Sequence, residues 1–332
     1  MSTETILKII NLKKLFPAGR SGIWATKEKF VHALDGVSFD LAQGEVLALV
    51  GESGCGKSTL ALTLIGLEHP TEGQIIFDGQ DVTHLNSKAS KEMRRQIQMV
   101  FQDPYESLNP LMTIHDIVAE PLIVHGLFQT KAEMNQKVIN ALEAAGLNPA
   151  EIYVNRLPHE LSGGQRQRVV IASALVLQPR VLLADEPVSM LDVSIRAEIL
   201  NVLIQLRKDR GISILFITHD LATAAYLADQ VAVMYLGRIV EIGPLQIVIN
   251  QPAHPYTQAL LSVIPVPNPR KRRNRIILQG VPPNPIDIPP GCRFQPRCPV
   301  AIDRCLLIDP SLAEITPGHK AACLLLETHD KE

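Results

Sequence analysis

The chain has 332 residues, of which 46% are hydrophobic and 20% charged, enough apolar material for two domains or for one domain with an appendage. A formal net charge of −2 gives no global pull toward nucleic acid or anionic lipid, so no nucleic-acid partner is expected and any basic patch is local. The N-terminus has no apolar leader and no apolar run approaches the length of a bilayer span, so the expected protein is cytosolic or peripheral.

In chain order, residues 6–16 alternate as a strand through Ile6, Leu7, Ile9, Ile10 and Leu12, and end at Phe16-Pro17. Residues 17–31 read as a surface loop and 33–39 as a second strand. Gly44 turns the chain into the apolar run Val46 to Val50. That run feeds Gly51-Glu52-Ser53-Gly54-Cys55-Gly56-Lys57-Ser58-Thr59, and a helical pattern follows. Strand, glycine-rich loop and helix in this order form a phosphate-binding loop: the glycines let backbone N–H groups turn inward at a helix N-terminus, where the helix dipole favours an anion. Lys57 can then reach the outer phosphates. Ser58 is left facing a Mg²⁺ that bridges them, a hard cation that takes oxygen ligands. Cys55 is a filler of this loop.

Residues 70–79 read as turn, strand and turn, and 97–101 as a strand ending at Gln102. From about 103 to 165 the pattern becomes helical, with helices at 114–124 and 131–145 and a third opening near Ser162. After Pro179, a short buried strand ends in Asp185-Glu186. A helix with one apolar face (Ile195, Ile199, Val202, Leu203, Leu206) follows. Next come a strand at 212–217, His219, a helix at 221–228, and strands at 231–235 and 239–242. Strands alternating with helices predict an α/β fold with a parallel sheet covered on both faces, interrupted by a helical insert. From Pro252 the proline density predicts a loop-rich extension held by something other than a large apolar core. The expected domains are therefore 1–250 and 251–332. The basic run 270–275 is either a solvated linker or a contact with lipid headgroups or an acidic partner surface.

Hydrolysis of a phosphoanhydride needs a carboxylate near the γ-phosphate, and Asp185-Glu186 supplies two: Asp185 for the metal or its water, Glu186 to polarise the attacking water. An apolar strand ending in two acids is common by accident, so the pair alone is weak. The other cysteines are Cys292, Cys298, Cys305 and Cys323, spaced C-x₅-C-x₆-C-x₁₇-C. Without a secretory signal they read better as metal or cluster ligands than as disulfides. A four-thiolate set holds either a [4Fe–4S] cluster or tetrahedral zinc, and the C-x₂-C pairs typical of structural zinc are absent.

Leu161-Ser162-Gly163-Gly164-Gln165, just ahead of the Asp185-Glu186 strand, resembles the signature of ATP-binding cassette proteins, and the other motifs fall in that family's order. The resemblance implies a P-loop NTPase cassette of RecA-like parallel sheet, β subdomain and helical insert, binding ATP and Mg²⁺. It makes Gln102 a link between Mg²⁺ or the attacking water and the insert, Asp192 part of the loop after the acidic pair, and His219 the γ-phosphate contact. Met190 stands where alanine is more usual in that loop. Phe16 is the candidate for stacking on adenine, with Phe30 in reserve. Ser162-Gly163-Gly164 is then a second anion nest that, in a head-to-tail dimer, closes over ATP on the other subunit's loop.

The tail narrows the resemblance. Residues 253–261, 278–283 and 290–299, including Pro290-Gly291-Cys292 and Arg297-Cys298-Pro299, are similar to the C-terminal region of oligopeptide and dipeptide importer ATPases, a group that nickel importers share. That implies an ATPase subunit at the cytoplasmic face of the inner or plasma membrane. Its implied partners are a second, related ATPase, two membrane permease subunits and an extracytoplasmic peptide-binding protein. It also favours [4Fe–4S] over zinc for the cysteines. The alternatives are a metal-chelate importer of the same group and a soluble cassette ATPase.

Overall fold

A computed structural model describes residues 4–20, 28–264 and 275–329. Its strands and helices, in chain order, are β1 (Thr5–Arg20), β2 (Glu28–Ala42), β3 (Val46–Val50), α1 (Lys57–Leu64), β4 (Glu72–Phe77), β5 (Gln80–Asp81), α2 (Ser87–Gln96), β6 (Ile97–Val100), α3 (Pro104–Ser107), α4 (Ile114–His125), α5 (Lys131–Ala144) and α6 (Gly163–Leu175). They continue with β7 (Val181–Asp185), α7 (Val193–Arg210), β8 (Ser213–Thr218), α8 (Leu221–Leu227), β9 (Gln230–Tyr235), β10 (Arg238–Pro244), α9 (Leu245–Asn250), α10 (Pro255–Ser262), β11 (Ala313–Thr316) and β12 (His319–Ala321). The chain divides into two compact units. The first takes the described residues up to Ile6, Leu41–Val46 and His84–Ile217; the second takes those of Leu7–Asp40, Leu47–Thr83 and Thr218–Glu332.

In the first unit β6, β7 and β8 pair in parallel, with Ile97 opposite Val181 and Val181 opposite Ser213. Every residue of β7 and β8 is buried, as parallel strands covered on both faces require. Helix α6 packs on β6 and α7 and also on α3, α4 and α5, so one apolar helix joins the insert to the sheet. Its buried side chains run Val169, Val170, Ile171 and Ala172, wider than a one-face stripe because it has neighbours on several sides. Arg168 fastens the insert further: its guanidinium donates to the Ala145 carbonyl at 3.0 Å and to Glu198 at 2.8 Å.

In the second unit a four-stranded sheet runs β2-β1-β4-β5. Strand β1 extends to Arg20 and β2 begins at Glu28, so much of the expected 17–31 loop is strand; pairing with neighbouring strands carries both past the apolar pattern that marked them in sequence. The same unit holds the order β11-β12-β10-β9-β3. Strands β9 and β10 form a hairpin whose central residues, Leu236 and Gly237, both have positive φ, 42° and 77°, as a tight turn matched to strand twist demands.

The C-terminal extension is more regular than its prolines suggest. Strand β12 pairs with β10, Glu241 opposite Ala321, and helix α10 is capped by His254, whose Nδ1 accepts from the Tyr256 N–H at 3.1 Å. The hold is also apolar, against expectation: Phe294 and Tyr256 pack with Tyr235, the ring centroids 4.8 to 5.4 Å apart, in a buried cluster with Val233, Leu245 and Leu261. One carboxylate completes it. Glu241, fully buried, accepts from the N–H groups of Ala253 (2.9 Å) and His254 (2.8 Å) and pairs with His319 Nε2 (2.8 Å). Arg270–Asn274 of the basic run lie outside the described residues.

Removing that carboxylate strands three polar partners in an apolar surround. Glu241→Ala should lower the unfolding free energy by roughly 3 kcal/mol or more, since each orphaned partner costs about 1–3 kcal/mol; thermal melting reads this, and an unchanged midpoint would contradict it.

Candidate functional site

The phosphate loop lies in the second unit, between β3 and α1. Its geometry is set by what it leaves out. A Cβ on Gly51 would stand 2.2 Å from the Met234 carbonyl oxygen, and one on Gly56, at φ 108°, would stand 2.2 Å from that of Ala33. Gly54 also has positive φ, 78°. Cys55 is buried beneath, its carbonyl accepting from the Gly237 N–H at 2.9 Å, and burial pushes its thiol up from the ordinary value. Lys57 is buried and folds its ammonium back onto the carbonyls of Gly51 (2.8 Å) and Glu52 (3.0 Å). Ser53, Gly54 and Ser58 face solvent, with Thr59 half-buried behind them. A glycine-rich loop at a helix N-terminus, with a lysine inside it, fits a polyphosphate.

His219, exposed in the same unit, directly follows β8. The helix after it is pinned by Asp220, whose carboxylate accepts from the Ala222 N–H at 2.9 Å and the Thr223 hydroxyl at 2.7 Å. Phe16, half-buried on β1, has the Lys14 ammonium 4.7 Å from its ring centroid. Phe30, half-buried, is on β2.

The first unit holds the carboxylates. Asp185 ends β7 and is buried; Glu186 follows in the left-handed region, φ 45°, with its N–H donating to the Ile217 carbonyl at 2.9 Å. The Ser189 hydroxyl and N–H both donate to the Glu186 carbonyl, at 3.0 and 3.2 Å, and hold the bend. Gln102, just past β6, donates from Nε2 to a Glu186 carboxylate oxygen at 3.3 Å. A non-glycine residue in this conformation costs about 1–3 kcal/mol and persists where the surroundings over-determine it, a pattern that clusters at functional sites. Asp192, exposed, is the N-cap of α7 and its side chain makes no capping hydrogen bond.

In the signature segment, Ser162 and Gln165 form a reciprocal cap on α6: the Gln165 N–H donates to Ser162 Oγ at 3.3 Å, and the Ser162 N–H to Gln165 Oε1 at 3.0 Å. Gly164 packs so closely on α7 that a Cβ would lie 2.4 Å from Ile195 Cγ2; Gly163 is roomier. The turn is rigid and its first N–H groups point out of the helix end.

The cysteine expectation is corrected. Among the described residues no group of three or more His, Cys, Asp or Glu side chains is disposed to hold a metal ion. The thiols sit in a partly apolar surround: burial pushes Cys292 up to about 11 and raises Cys298 and Cys323, which favours the uncharged thiol in the metal-free chain. Cys305 is buried, and its carbonyl accepts from the Cys292 N–H at 2.8 Å. Neither the iron–sulfur cluster nor zinc is supported.

Sequence reasoning missed what braces the phosphate loop. Arg297, from the extension, makes a two-point pair with Glu52, 2.8 and 3.1 Å, and the Tyr256 hydroxyl accepts from the Glu52 N–H at 2.9 Å. Arg293 donates to the Leu236 carbonyl at 2.6 Å and pairs with Asp35. An acid inside an anion-binding loop was the available signal, because it demands a countercharge.

The ABC transporter family profile matches residues 34–189, and that of the oligopeptide/dipeptide transporter C-terminal region matches 240–305. The chain is 49% identical over 325 residues to the oligopeptide transport ATP-binding protein AppF of Bacillus subtilis, covering 97% of this chain and 98% of that one. It is 47% identical over 322 residues to the dipeptide transport ATP-binding protein DppF of Haemophilus influenzae, covering 97% of each. Among solved structures it is similar to the dimeric post-hydrolysis state of the ATP-binding cassette MJ0796 bound to ADP and Pi. There the TM-score is 0.64 and the identity 30%, over 72% of this chain and 98% of that one. It is also similar to cbiO1 of Clostridium perfringens, part of the ABC transporter complex cbiONQ, with TM-score 0.64 and 32% identity over 75% and 92%. A phosphate loop, a strand-end carboxylate pair and a capped Ser-Gly-Gly turn, with relatives aligned over nearly the whole length, place this chain in the ATP-binding cassette family, among the ATP-binding proteins that carry the oligopeptide/dipeptide transporter C-terminal region.

Proposed function

We propose that the chain is the ATP-hydrolysing subunit of a membrane importer of oligopeptides or dipeptides. The observation that carries the hydrolytic part is Glu186: a carboxylate at the end of a fully buried strand, bent into a strained conformation and held by Gln102 and Ser189. That placement suits a group that must orient and polarise a water. Lys57 and the loop's backbone N–H groups bind the phosphates. Ser58 would offer its hydroxyl to Mg²⁺, which when bound supplies charge neutralisation on the transferring phosphate; in the first unit Asp185 and Gln102 are the oxygen donors of the kind that ion takes. His219 contacts the γ-phosphate, and Phe16 stacks on the base.

The Ser162-Gly163-Gly164 turn and Asp192 serve a neighbouring subunit's nucleotide in a head-to-tail pair, here with a second, related ATPase. The dimeric MJ0796 cassette supports such pairing as a form this fold takes. The transport path belongs to two permease subunits, on whose cytoplasmic side this chain sits. Among the described residues no helix is long and apolar enough to cross a membrane. A peptide-binding protein on the far side delivers the cargo.

Glu186→Gln should cut ATP turnover by at least about 10²-fold, the usual contribution of a positioned base, while ATP binding is retained; steady-state hydrolysis and nucleotide binding check it, and unimpaired turnover would remove Glu186 from this role. Gly164→Val, which forces the signature turn off Ile195, should abolish hydrolysis by the assembled transporter and leave nucleotide binding to the isolated chain intact. Full transporter activity in that variant would contradict the signature assignment.

A further inference from the structure

The phosphate loop carries a charge of the wrong sign. Glu52 is the second residue of the loop, its carbonyl is one of the two that hold the Lys57 ammonium, and its carboxylate would repel a polyphosphate arriving a few ångströms away. In the structure that carboxylate does not stand alone. Both oxygens are taken by the guanidinium of Arg297, at 2.8 and 3.1 Å, in the planar two-point geometry that arginine makes best. The Arg297 side chain is only 8% exposed and that of Glu52 29%, so water screens the pair weakly. Arg297 also lies over the Tyr235 ring, 5.9 Å from its centroid, and Tyr235 packs edge-on to Phe294, three residues before Arg297 in the extension.

We infer that Arg297 is a positioning residue for nucleotide binding, by which the C-terminal extension neutralises Glu52 and fixes the phosphate loop in its anion-accepting shape. Tyr256 is the second tether: its hydroxyl accepts from the Glu52 N–H at 2.9 Å, turning that N–H toward the extension. The extension is therefore part of the ATP site and not only an appendage to the cassette. This rests on the reading of the loop as an ATP site.

The test separates charge neutralisation from mere stapling. Equilibrium binding of Mg·ATP, of ADP and of adenosine is measured on the full chain and on Arg297→Gln, Glu52→Gln and the double variant. Arg297→Gln leaves an unneutralised carboxylate in the loop and should weaken ATP binding about tenfold, equivalent to 1.4 kcal/mol. The loss should be smaller for ADP and negligible for adenosine. Glu52→Gln leaves Arg297 positive beside the loop and should shift affinity the other way, to tighter ATP binding, and the double variant should return to within about threefold of the parent. If Arg297 only staples the extension, both single substitutions weaken binding alike, the double does not recover, and the loss is indifferent to ligand charge; that result overturns the inference. Should Arg297→Gln fail to fold, Glu52→Gln alone decides: tighter ATP binding supports the inference and weaker binding overturns it. A parent chain that binds no ATP overturns the ATP-site reading itself, an outcome distinct from a parent that binds and an Arg297→Gln variant that binds equally well.

Discussion

A loop that receives a polyphosphate has to offer bare backbone N–H groups, and so cannot use its own side chains to hold its shape. Here the neighbours do the holding. Gly51 and Gly56 are jammed against the Met234 and Ala33 carbonyls, Gly237 donates to the Cys55 carbonyl, and Tyr256 and Arg297 grip Glu52 from the extension. Lys57, the cation of the loop, donates to two loop carbonyls. The β9–β10 turn serves both sides with its backbone, the Gly237 N–H toward the loop and the Leu236 carbonyl toward Arg293.

The second unit is accordingly built outward from this loop. The aromatic cluster of Tyr235, Tyr256 and Phe294 lies between the hairpin and the extension, and the buried Glu241 sews β10 to α10 and β12. In the first unit a different device fixes the chemistry. A buried parallel strand ends in two acids, the second is bent into a left-handed conformation, and serine and glutamine side chains hold it there. Both units place reactive groups at element ends, where the backbone has orphan donors and freedom to turn.

The cassette was legible because its signals are local. A glycine loop between an apolar strand and a helix, or two acids closing an apolar run, states its geometry within ten residues; α4 and α5 fall within a residue of their expected spans, and α6 opens next to Ser162. What stayed hidden depends on partners far along the chain. Strands β11 and β12 are too short and too polar to announce themselves and exist because β10 offers an edge. Glu52 reads as one more residue of the phosphate loop until Arg297, 245 positions later, is seen against it. The cysteines misled for a related reason: their spacing resembles a ligand set, but ligation needs side chains disposed around one point, and among the described residues no group of three or more is so disposed. Spacing in sequence says nothing about that arrangement.

In the proposed head-to-tail pair this chain is half of each of two composite sites, binding nucleotide on its own loop and contacting a partner's nucleotide with Ser162-Gly163-Gly164. Backbone amide exchange, with and without a non-hydrolysable Mg·ATP analogue, tests it most directly. The nucleotide should slow exchange across residues 51–59 both in the isolated chain and in the assembled transporter, and should slow it at Gly163 and Gly164 only in the assembly. Amides at Gly163 and Gly164 that exchange at the same rate with and without nucleotide in the assembled transporter would contradict it.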